Sequence, residues 1–401
     1  MQTDILIIGG GASGLTAAIS AKDARPDARV CVIESLPRCG KKLLATGNGR
    51  CNLMNVNARA EDYAGNAAFI SPALKAYMDR YESFWERLGL SLMQEEGGRV
   101  YPACNQASTV LDVLRLALAD RGITEITELE ARALRPDASG FTVETNKSSI
   151  HTKKVILASG SSAGRALGEN DSFRKLLAPL GHTFTPVYPA LTYLTVPREC
   201  VAGLNGVRLR GEIALLEGES ELARETGEIL FRDGALSGIA AMQLSLVAAG
   251  RKNLYARLSP LAENAYEILN RRRSAFSGRE AAYLTAGCVN RLIALLALKR
   301  SGISPAVRAG DISDMQLKTL ARELSDWRVP ISGTGDFANA QVMLGGADTA
   351  QFDAGTLESL CARGLYACGE LLNVTGPCGG YNLGWAWASG MRAGRSAAFS
   401  L

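Results

Sequence analysis

Three glycines near the start of the chain have a spacing that lets backbone approach a ligand closely. Gly9, Gly11 and Gly14 follow a short apolar run at residues 5–8 and precede a stretch of small residues. In such a turn the first glycine allows the bend, the second lets backbone approach a pyrophosphate, and the third lets a helix pack on the strand. The first N–H groups of that helix then point at the phosphates. The pattern predicts a strand, a turn and a helix that bind a dinucleotide, and it disfavours a glycine-rich turn that binds nothing.

A carboxylate follows at the distance at which this kind of turn holds a ribose. The apolar run ARVCVIE at 28–34 is typical of a second strand, and it ends in Glu34, twenty residues after Gly14. A carboxylate at that position accepts hydrogen bonds from both ribose hydroxyls and repels a 2′-phosphate. The bound nucleotide is therefore expected not to be NADP.

The segment RCGKKLLATGNGRCNLMN at 38–55 helps to decide which dinucleotide is bound. A simple dehydrogenase would continue into a crossover helix here, whereas this chain places cations around a Gly-Asn-Gly turn at 47–49. The cations are Arg38, Lys41, Lys42 and Arg50. Cations and free N–H groups in a loop fold over a pyrophosphate and reach towards an isoalloxazine ring. The segment favours FAD over NAD, and a solvated basic loop is the alternative.

A second glycine-rich stretch, GPCGGYNLGWAWASG, lies close to the end of the chain at 376–390. Gly379 and Gly380 leave room for a flat ring, and Tyr381 and Asn382 present polar edges beside it. The helix that follows can point its first N–H groups at the flavin pyrimidine. The start of this stretch is therefore predicted to form the wall of a site.

The second half of the same stretch has the pattern of a packed helix. Ala386, Gly390 and Gly394 recur every four residues, and this stripe of small residues predicts close packing inside a domain. Trp385 and Trp387 are two residues apart and cannot share one helix face. At least one of them is expected to leave the core stripe of this helix for the pocket side or for a domain contact.

Apolar runs elsewhere indicate two kinds of sheet and a helical region. TKKVILASG at 152–160 and LYACGE at 365–370 close on glycine and read as parallel strands. LTYLTVP at 191–197 and GVRLRGEIALLEG at 206–218 alternate like strands. The pattern is helical from about 260 to 327; one helix there is expected to place five apolar residues on one face, namely Val289, Leu292, Ile293, Leu295 and Leu296.

Length and composition limit the class of protein. A chain of 401 residues suggests two or three domains, and 47% hydrophobic residues with 6% aromatic residues are typical of a globular protein. The net charge of +4 does not by itself require a nucleic-acid partner. Nine scattered cysteines without a C-x-x-C pair, together with two histidines, argue against a disulfide framework and a metal site.

The uncharged residues 5–21 raise the question of a targeting segment. Four glycines interrupt them and no basic segment precedes them, so they are interpreted as a buried strand and helix. No other stretch is long and apolar enough to span a bilayer. The sequence therefore predicts a cytoplasmic protein with reduced thiols and without a membrane partner.

Six segments together resemble a known family. They are GGGASGLTAA (9–18), GKKLLATGNGRCNLMN (40–55), LGHTFTPVYPALTYL (180–194), GEILF with LSG (227–238), VMLGG (342–346) and GLYACGELLNVTGPCGGYNLGWAWASGMRAG (364–394). This set resembles the NAD(P)/FAD-dependent oxidoreductase family of aminoacetone oxidase-like and bile-acid reductase-like flavoproteins. The resemblance covers nearly the whole chain, and its most specific parts are the GNGRCN loop and the GE…GGYN segment.

The resemblance implies an α/β fold with three parts. These are a Rossmann-like doubly wound FAD-binding domain made from both ends of the chain, an inserted β-rich, barrel-like domain, and a small helical cap. The expected bounds are 1–190 for the first part of the FAD-binding domain, 191–258 for the first part of the insert, and 259–327 for the cap. Residues 328–401 return through the insert into the FAD-binding domain.

The glycine patterns and the resemblance together predict residues that bind FAD without a covalent bond. They are Gly9, Gly11, Ala12, Ser13, Gly14, Glu34, Ser35, Lys42, Gly47, Arg50, Cys51, Asn52, Ala131, Ala158, Ser159, Gly160, Gly369, Glu370, Gly379, Gly380, Tyr381, Asn382 and Leu383. No metal ligands are expected.

The reaction is expected to be hydride transfer through flavin N5, which for the reduction of a C=C bond also needs a proton donor on the substrate side. The resemblance places Tyr381 and Cys51 against the flavin, so they are the candidate donors; a small buried packing group is an equal interpretation of Cys51. No second GxGxxG unit is visible, so NAD(P)H would reach the flavin only as a transient electron donor.

Three reactions remain open at this stage. The preferred one is the NAD(P)H-dependent reduction of an activated C=C bond in a small molecule, such as a steroid-like enone. The second is the reduction of uridine to dihydrouridine in ribosomal RNA, and the third is an aminoacetone-type amine oxidation that uses oxygen. The RNA alternative is favoured by residues 251–330, which contain fourteen lysines and arginines against seven acidic residues, although a solvated helix face is the simpler interpretation.

Overall fold

The computed structural model describes residues 1–164, 172–261 and 264–401. The chain forms two compact units. The first unit combines Met1–Pro189 with Phe337–Leu401, and the second unit is Ala190–Asp336. Both ends of the chain therefore contribute to the first unit, and the second unit is inserted between them.

The strands of the described residues are, in chain order, β1 (Gln2–Ile8), β2 (Val30–Ile33), β3 (Met54–Asn55), β4 (Leu92–Glu95), β5 (Arg99–Pro102), β6 (Thr124–Ile126), β7 (Ala131–Asp137), β8 (Gly140–Thr145), β9 (Ser149–Leu157), β10 (Tyr188–Ala190), β11 (Leu194–Thr195), β12 (Arg208–Glu217), β13 (Ser220–Arg232), β14 (Ala235–Ser237), β15 (Leu254–Leu258), β16 (Trp327–Ile331), β17 (Gly333–Thr334), β18 (Val342–Leu344) and β19 (Leu365–Ala367).

The α-helices of the same residues are α1 (Ala12–Ala24), α2 (Ala67–Met78), α3 (Tyr81–Arg87), α4 (Ala107–Asp120), α5 (Ser172–Leu177), α6 (Ile239–Ala248), α7 (Ala265–Ala275), α8 (Arg291–Arg300), α9 (Asp314–Ser325) and α10 (Tyr381–Phe399). Among these helices, none combines the length and the apolar character that a bilayer span requires.

A seven-stranded sheet organises the first unit around β1. This strand lies between β2 and β9, and all three run parallel, with Ile7 opposite Val32 and Ile156. β6 extends the parallel part beyond β2, and β19 pairs with the carboxyl half of β9, whereas β8 and β7 form an antiparallel edge. Ile7 and its neighbours are fully buried, as expected for a central parallel strand covered on both faces. The prediction of a Rossmann-like doubly wound domain is confirmed.

β1 begins before the predicted apolar run because a charged residue inside it has partners. One carboxylate oxygen of Asp4 accepts the backbone N–H of Arg29 at 2.9 Å and lies 3.1 Å from its Nε, while the other lies 3.0 Å from Nζ of Lys153. The side-chain hydrogen bond from Arg29, more than any other contact, holds the pKa of Asp4 well below its usual range. These contacts tie β1 to the start of β2 and to β9.

α1 and α10 lie so close that side chains would not fit between them. A Cβ added to Gly390 would lie 2.3 Å from the carbonyl oxygen of Ser13, and one added to Gly394 would lie 2.2 Å from that of Ala17. Both pairs advance by four residues, so the two helices run in the same direction. The predicted packing stripe is confirmed at these two glycines.

The expectation that a tryptophan leaves the core is wrong. Trp385 and Trp387 are 1% and 0% exposed, on different faces of α10, because this helix is covered on more than one side. Trp385 donates its indole N–H to the carbonyl of Gly369 at 3.2 Å, and Trp387 donates to that of Leu53 at 2.9 Å. Partners for both indole groups make this double burial possible.

The second unit contains a seven-stranded antiparallel sheet in the order β16-β15-β12-β13-β14-β11-β17. α6 packs on this sheet through Ala241 and Leu244, which share a core with Ile213 and Phe231 of the strands. The prediction of an inserted β-rich domain is confirmed by this sheet.

The helices α7, α8 and α9 of the second unit have a core of their own, which includes Leu269, Leu298 and Leu320. One detail of the predicted pattern is wrong: Leu292 is 46% exposed, whereas Ile293 and Ala294 are buried. The buried face of α8 is formed by Ile293, Ala294, Ala297 and Leu298, because the helix contacts two different cores rather than one broad surface.

We expect Gly390→Ala to destabilise the first unit. The added methyl group overlaps the carbonyl oxygen of Ser13, and overpacking of this kind costs about 1–3 kcal/mol. Such a loss corresponds to a fall in melting temperature of about 2–4 °C per kcal/mol in a domain of this size. The measurement is the thermal unfolding of the purified protein.

Gly384→Ala in the same helix is the matched control. Its methyl group would lie 3.6 Å from Cβ of Met54, an ordinary contact, and alanine is the better helix former. The control is expected to melt at the same temperature or higher. Equal melting of the Gly390→Ala variant and the wild type would contradict the packing described for α1 and α10.

Asp4→Asn should change how stability depends on pH. Because the folded-state pKa of Asp4 is lowered, its stabilising contribution is present above the ordinary carboxyl value of about 3.9 and is lost as the pH falls through the lower, folded-state value. The variant is expected to be less stable than the wild type at pH 7, and the difference should shrink below about pH 4. Urea unfolding between pH 7 and pH 3 measures this, with Asp27→Asn, whose side chain is 80% exposed, as the control.

Candidate active site

The glycines of the first turn are required for two different reasons. Gly9 has φ of +108°, and a Cβ there would lie 2.4 Å from the carbonyl oxygen of Ala158. A Cβ on Gly14 would lie 1.9 Å from the carbonyl oxygen of Gly9. A Cβ on Gly11 would meet no atom of the described chain within 4 Å. Packing therefore explains Gly9 and Gly14, whereas the position of Gly11 is one at which a ligand can approach the backbone.

The start of α1 offers N–H groups at this turn. The helix begins at Ala12 without a side-chain cap, and its first turn contains no acidic residue. Among the described residues, the first N–H of this helix to reach a backbone carbonyl is that of Leu15, which donates to Gly11 at 3.0 Å. The preceding N–H groups and the positive end of the helix dipole suit a phosphate.

Glu34 directly follows β2 and is fixed by hydrogen bonds on both of its carboxylate oxygens. One oxygen accepts the N–H of Gly10 at 2.8 Å, and the other accepts the N–H of Leu36 at 2.9 Å and the hydroxyl of Ser35 at 3.1 Å. Its carbonyl accepts the N–H of Leu129, two residues before the buried Ala131. A carboxylate oxygen can accept more than one hydrogen bond, so Glu34 keeps capacity for ribose hydroxyls.

Residues predicted from separate segments meet at the carboxyl ends of three neighbouring parallel strands. Residues 9–14 follow β1, residues 158–160 follow β9, and Gly369 and Glu370 follow β19. A Cβ on Gly369 would lie 2.5 Å from Oγ of Ser13, so β19 reaches the first turn of α1. This edge of an open parallel sheet is where such folds bind their ligands.

Two of the four cations of the loop after β2, Lys42 and Arg50, have protein partners. Lys42 donates to the carbonyls of Ser161 and Ala163 at 3.1 and 2.7 Å. Arg50 pairs with Glu95, donates to Oδ1 of Asn105, and lies 4.0 Å over the ring of Tyr101. The guanidinium of Arg50 is thus held beside β4 and β5 rather than at the glycine turn, because a carboxylate and a ring compete for it there.

Glu370 lies in the same region as Lys42. It accepts the N–H of Met343 at 2.8 Å, and desolvation raises its pKa while the charge of Lys42 opposes that rise. The carboxyl group of Glu370 is therefore a hydrogen-bond acceptor that ties the segment after β19 to β18. Its neighbour Gly369 is fixed in turn, since its N–H donates to Oγ of Ser389 at 2.9 Å.

Cys51 has a side chain that is 0% exposed in the protein alone, and burial raises the pKa of the thiol to about 12, so the thiol is protonated at neutral pH. Its burial, rather than its pKa, argues against contact with a substrate, and its role as a proton donor stays a prediction. The turn before it folds the cysteine inward: Gly47 and Asn48 have φ of +56° and +55°, and Cys51 donates its N–H to the carbonyl of Thr46. The alternative of a packing group describes it better.

Asn52, next to it, has a buried amide oxygen without a hydrogen-bond partner among the described residues. This oxygen lies 2.8 Å from the position that a Cβ on Gly380 would occupy. The same Cβ would lie 2.5 Å from the carbonyl of Met54 in β3, so Gly380, with φ of +100°, is needed to seat the start of α10 against that strand. A buried polar atom of this kind calls for a donor that the described chain does not provide.

The start of α10 has a second set of N–H groups. The first N–H to reach a carbonyl in the described chain is that of Gly384, which donates to Gly380 at 2.9 Å. Asn382 does not present its amide as a free edge, because it accepts the N–H of Gly376 and donates to the carbonyl of the same residue, each at 2.8 Å. Leu383 is half-buried. Asn382 therefore shapes the loop before α10.

The two helix starts are offset along a common direction. Gly390 lies against Ser13, at the start of α1, and it is nine residues after Tyr381, the first residue of α10. At a rise of 1.5 Å per residue, Tyr381 lies about 13 Å from the level of Ser13, on the N-terminal side of α1. An elongated ligand with an anionic middle and a flat ring at one end matches such an offset. The residues present therefore fit FAD: α1 and Gly11 suit the pyrophosphate, and the start of α10 suits the ring.

Tyr381 lies in the wall of an open cavity of about 560 Å³. The cavity is lined by Val56, Asn57, Ala58, Arg59, Asp62 and Tyr381. Desolvation, and secondarily the charge of Asp62, raises the pKa of Tyr381, while Arg59 opposes the rise. The phenol is therefore protonated at neutral pH. Its backbone carbonyl accepts the hydroxyl of Tyr63 at 2.9 Å, which holds the residue in place.

The sequence patterns did not single out Arg59, Asp62 and Tyr63. They lie in the segment ARAEDYAG at 58–65, which matches none of the motifs used above. The spacing of three between Arg59 and Asp62 is a local signal, since it is the spacing of a side chain that closes a helical turn. Their proximity to Tyr381, more than 300 residues later, depends on the tertiary structure.

Gly11→Ala is predicted to separate cofactor binding from folding. The backbone of Gly11 has φ of −82° and ψ of −170°, which alanine adopts, so the melting temperature of the FAD-free protein should not change. Its methyl group would occupy the approach to the helix start, and FAD affinity is expected to fall by about tenfold or more. Titration of FAD fluorescence with cofactor-free protein measures this.

Gly14→Ala is the matched comparison in the same turn. Its methyl group would overlap the carbonyl oxygen of Gly9, so both melting temperature and FAD affinity should fall. If Gly11→Ala binds FAD as the wild type does, the assignment of this glycine to the ligand is refuted.

Comparisons with known proteins agree with this geometry. The chain matches the family model described as "HI0933-like protein Rossmann domain" over residues 3–396. It is 38% identical to the 3-dehydro-bile acid delta(4,6)-reductase of Clostridium scindens over 98% of both chains. It is 28% identical to the ribosomal RNA dihydrouridine synthase of Escherichia coli over 96% of both chains.

Among solved structures, a quinol fumarate reductase of Escherichia coli has a TM-score of 0.52 with this chain at 14% identity, over 100% of this chain and 70% of that one. This likeness shows a shared fold. The predicted resemblance and the prediction of an FAD-dependent oxidoreductase are confirmed by the family match and the reductase relative. The chain belongs to the HI0933-like Rossmann family of FAD-binding oxidoreductases.

Proposed function

We propose that this protein reduces a C=C bond conjugated to a carbonyl group in a small, steroid-like molecule, with NAD(P)H as the electron donor. The observation that carries the proposal is the open cavity of about 560 Å³ with Tyr381 in its wall at the start of α10. Small-molecule sites have volumes of about 300–1,000 Å³ and a few placed polar groups. The name of the 38% identical relative, a 3-dehydro-bile acid reductase, supports a substrate of this class.

We propose that FAD is held without a covalent bond at the edge of the parallel sheet. Gly11 and the start of α1 face the pyrophosphate, Glu34 accepts the ribose hydroxyls, and the first N–H groups of α10 face the ring. Bound FAD would take a hydride from NAD(P)H and deliver it to a carbon of the substrate. The nicotinamide is a transient visitor in this proposal, because the sequence contains no second GxGxxG unit.

Tyr381 supplies the proton that accompanies the hydride. Its phenol remains protonated at neutral pH because desolvation raises its pKa. It lines the same cavity as the proposed substrate, and Tyr63 fixes its backbone. The O–H bond of Tyr381 breaks as a C–H bond forms on the substrate, and the phenolate then regains a proton from solvent. A positioned acid of this kind contributes about 10²–10⁴ to a rate.

Reduction of uridine in RNA is the second candidate, and the 28% identical dihydrouridine synthase favours it. The basic cap supports it less than its composition suggests. Arg272 donates to the carbonyls of Tyr283 and Ala286, and Arg273 donates to that of Ile312. Two of the three consecutive arginines at 271–273 are therefore engaged in holding the cap together. The two relatives named above are a reductase and a synthase, so they lend no support to the amine oxidase alternative, which stays a prediction.

Tyr381→Phe is expected to slow one half of the reaction. In an anaerobic stopped-flow experiment, reduction of the flavin by NADH or NADPH should proceed as in the wild type. Reoxidation of the reduced flavin by a steroid 4-en-3-one should be slower by about 10²–10⁴, because the proton donor is lost. Tyr81→Phe is the matched control, since its hydroxyl contacts the exposed Glu82 outside the cavity.

Three outcomes of this experiment decide between the candidates. Unchanged reoxidation in Tyr381→Phe would rule out this tyrosine as the donor. Reoxidation of the wild type by a uridine-containing ribosomal RNA fragment, but by no enone, would replace the preferred substrate class with RNA. Absence of flavin reduction by both nicotinamides would exclude NAD(P)H as the donor.

A further inference from the structure

The wall of the cavity beside Tyr381 contains an ion pair between Arg59 and Asp62. Both residues line the cavity, and Arg59 is the one cation among its six lining residues. Its other lining residues are apolar or neutral at pH 7, apart from Asp62. A cation that shares a wall with the proposed proton donor faces the same substrate.

Asp62 holds Arg59 from two sides. One of its carboxylate oxygens accepts the backbone N–H of Arg59 at 2.8 Å, and the other accepts Nη2 of the guanidinium at 3.1 Å. The side chain of Asp62 is only 22% exposed and belongs to the short turn Ala60–Asp62. A donor that is already held in position needs no reorganisation when charge develops beside it.

The rest of the guanidinium is open to the cavity. The side chain of Arg59 is 75% exposed, and its bond to Asp62 is the one side-chain hydrogen bond that it makes in the described part of the chain. An arginine has five N–H donors in a fixed fork, so several remain for a ligand. A planar oxygen acceptor is the kind of group that this fork binds.

The charges around the cavity favour a neutral group over a permanent anion. The formal charges of Arg59 and Asp62 cancel, Glu61 is the next residue in the same turn, and Tyr381 is uncharged. A carboxylate ligand would meet the negative charge of Asp62 from the moment it bound. A ketone oxygen meets no such repulsion on binding, and it becomes negative only when a hydride adds to the conjugated C=C bond.

We propose that Arg59 is a catalytic residue that donates hydrogen bonds to the carbonyl oxygen of the substrate and stabilises the negative charge that collects there. This inference rests on the proposed function. The hydride, supplied by NAD(P)H through the bound cofactor, forms a C–H bond at the far carbon of the C=C bond. The π electrons of that bond then form a new C=C bond to the carbonyl carbon, and the π electrons of the C=O bond move to the oxygen. The resulting enolate takes a proton on carbon from Tyr381 and returns to a ketone. Asp62 is a positioning residue, since it acts through Arg59.

The first test measures the two half-reactions of the FAD-loaded protein. Arg59→Gln should leave flavin reduction by NADH or NADPH unchanged and slow the reoxidation by a steroid 4-en-3-one by about 10²–10³, the usual effect of losing one such donor. Arg59→Lys should be intermediate, because it keeps the charge and loses the fork. Arg135→Gln is the control, since Arg135 is an equally exposed arginine that pairs with Glu144 outside the cavity.

The second test needs no turnover. The probe is 4-nitrophenol, which can enter as the neutral phenol and lose its proton in the cavity; the phenolate formed there resembles an enolate and absorbs visible light. The wild type and the Arg135→Gln control should bind the phenolate and lower the apparent pKa of the bound phenol, whereas Arg59→Gln should not. Asp62→Asn removes the negative charge that neutralises Arg59, so this variant should bind the phenolate more tightly. Its reduced flavin should nevertheless be reoxidised more slowly by the enone, because Arg59 is no longer held in position by the carboxylate. A merely structural role of Asp62 would weaken both properties.

The two tests keep the inference separate from the proposed function. If no enone reoxidises the wild type, the proposed function fails, and the phenolate titration alone decides the role of Arg59 as a donor to an oxyanion. The inference is overturned if Arg59→Gln is reoxidised at the wild-type rate, or if it binds the phenolate as the wild type does. Equal losses in Arg59→Gln and Arg135→Gln would also overturn it, because the effect would then not belong to the cavity.

Discussion

The direct packing of α1 on α10 is the interaction on which the rest of the first unit depends. Gly390 and Gly394 bring the backbone of the last helix against Ser13 and Ala17 of the first, with no side chain between them. This contact joins the two ends of the chain across an inserted unit of 147 residues, 190–336. It also sets the offset between the two helix starts, and this offset matches the proposed positions of the pyrophosphate and the ring of FAD.

The candidate active site is assembled around the start of α10 from two segments with recognisable motifs, 40–55 and 364–394, and from one without, 58–65. Gly380 lets the helix begin against Met54, Tyr63 holds the backbone of Tyr381, and Asp62 holds Arg59 at the same cavity. Each of these contacts fixes a group before any substrate arrives. Proton donation and charge stabilisation depend on such fixed positions, because a group that must reorganise contributes less to the transition state.

Tertiary contacts give several of the predicted side chains partners that their spacing does not reveal. Arg50 has the charge to bind a phosphate, and in the described chain Glu95 and Tyr101 hold its guanidinium. Cys51 follows a turn with left-handed residues, and its side chain is fully buried in the core. Both tryptophans of α10 are buried, because backbone carbonyls from different segments accept their indole N–H groups. Spacing along the chain contains no information about these partners.

The sequence by itself determined the family and four parts of the fold. These parts are the first strand with its glycine turn and helix, the parallel strand β9, the parallel strand β19 and the antiparallel insert. All of them depend on local periodicity and on glycines at set spacings, which are visible along the chain. Only the tertiary structure shows that packing requires Gly9 and Gly14, and that the space beside Gly11 is open. It also decided that Arg59 and Asp62 share a cavity with Tyr381. The physical reason is that both kinds of contact form between segments that lie far apart along the chain. A Cβ clash, or an ion pair beside Tyr381, exists only after folding has brought those segments together.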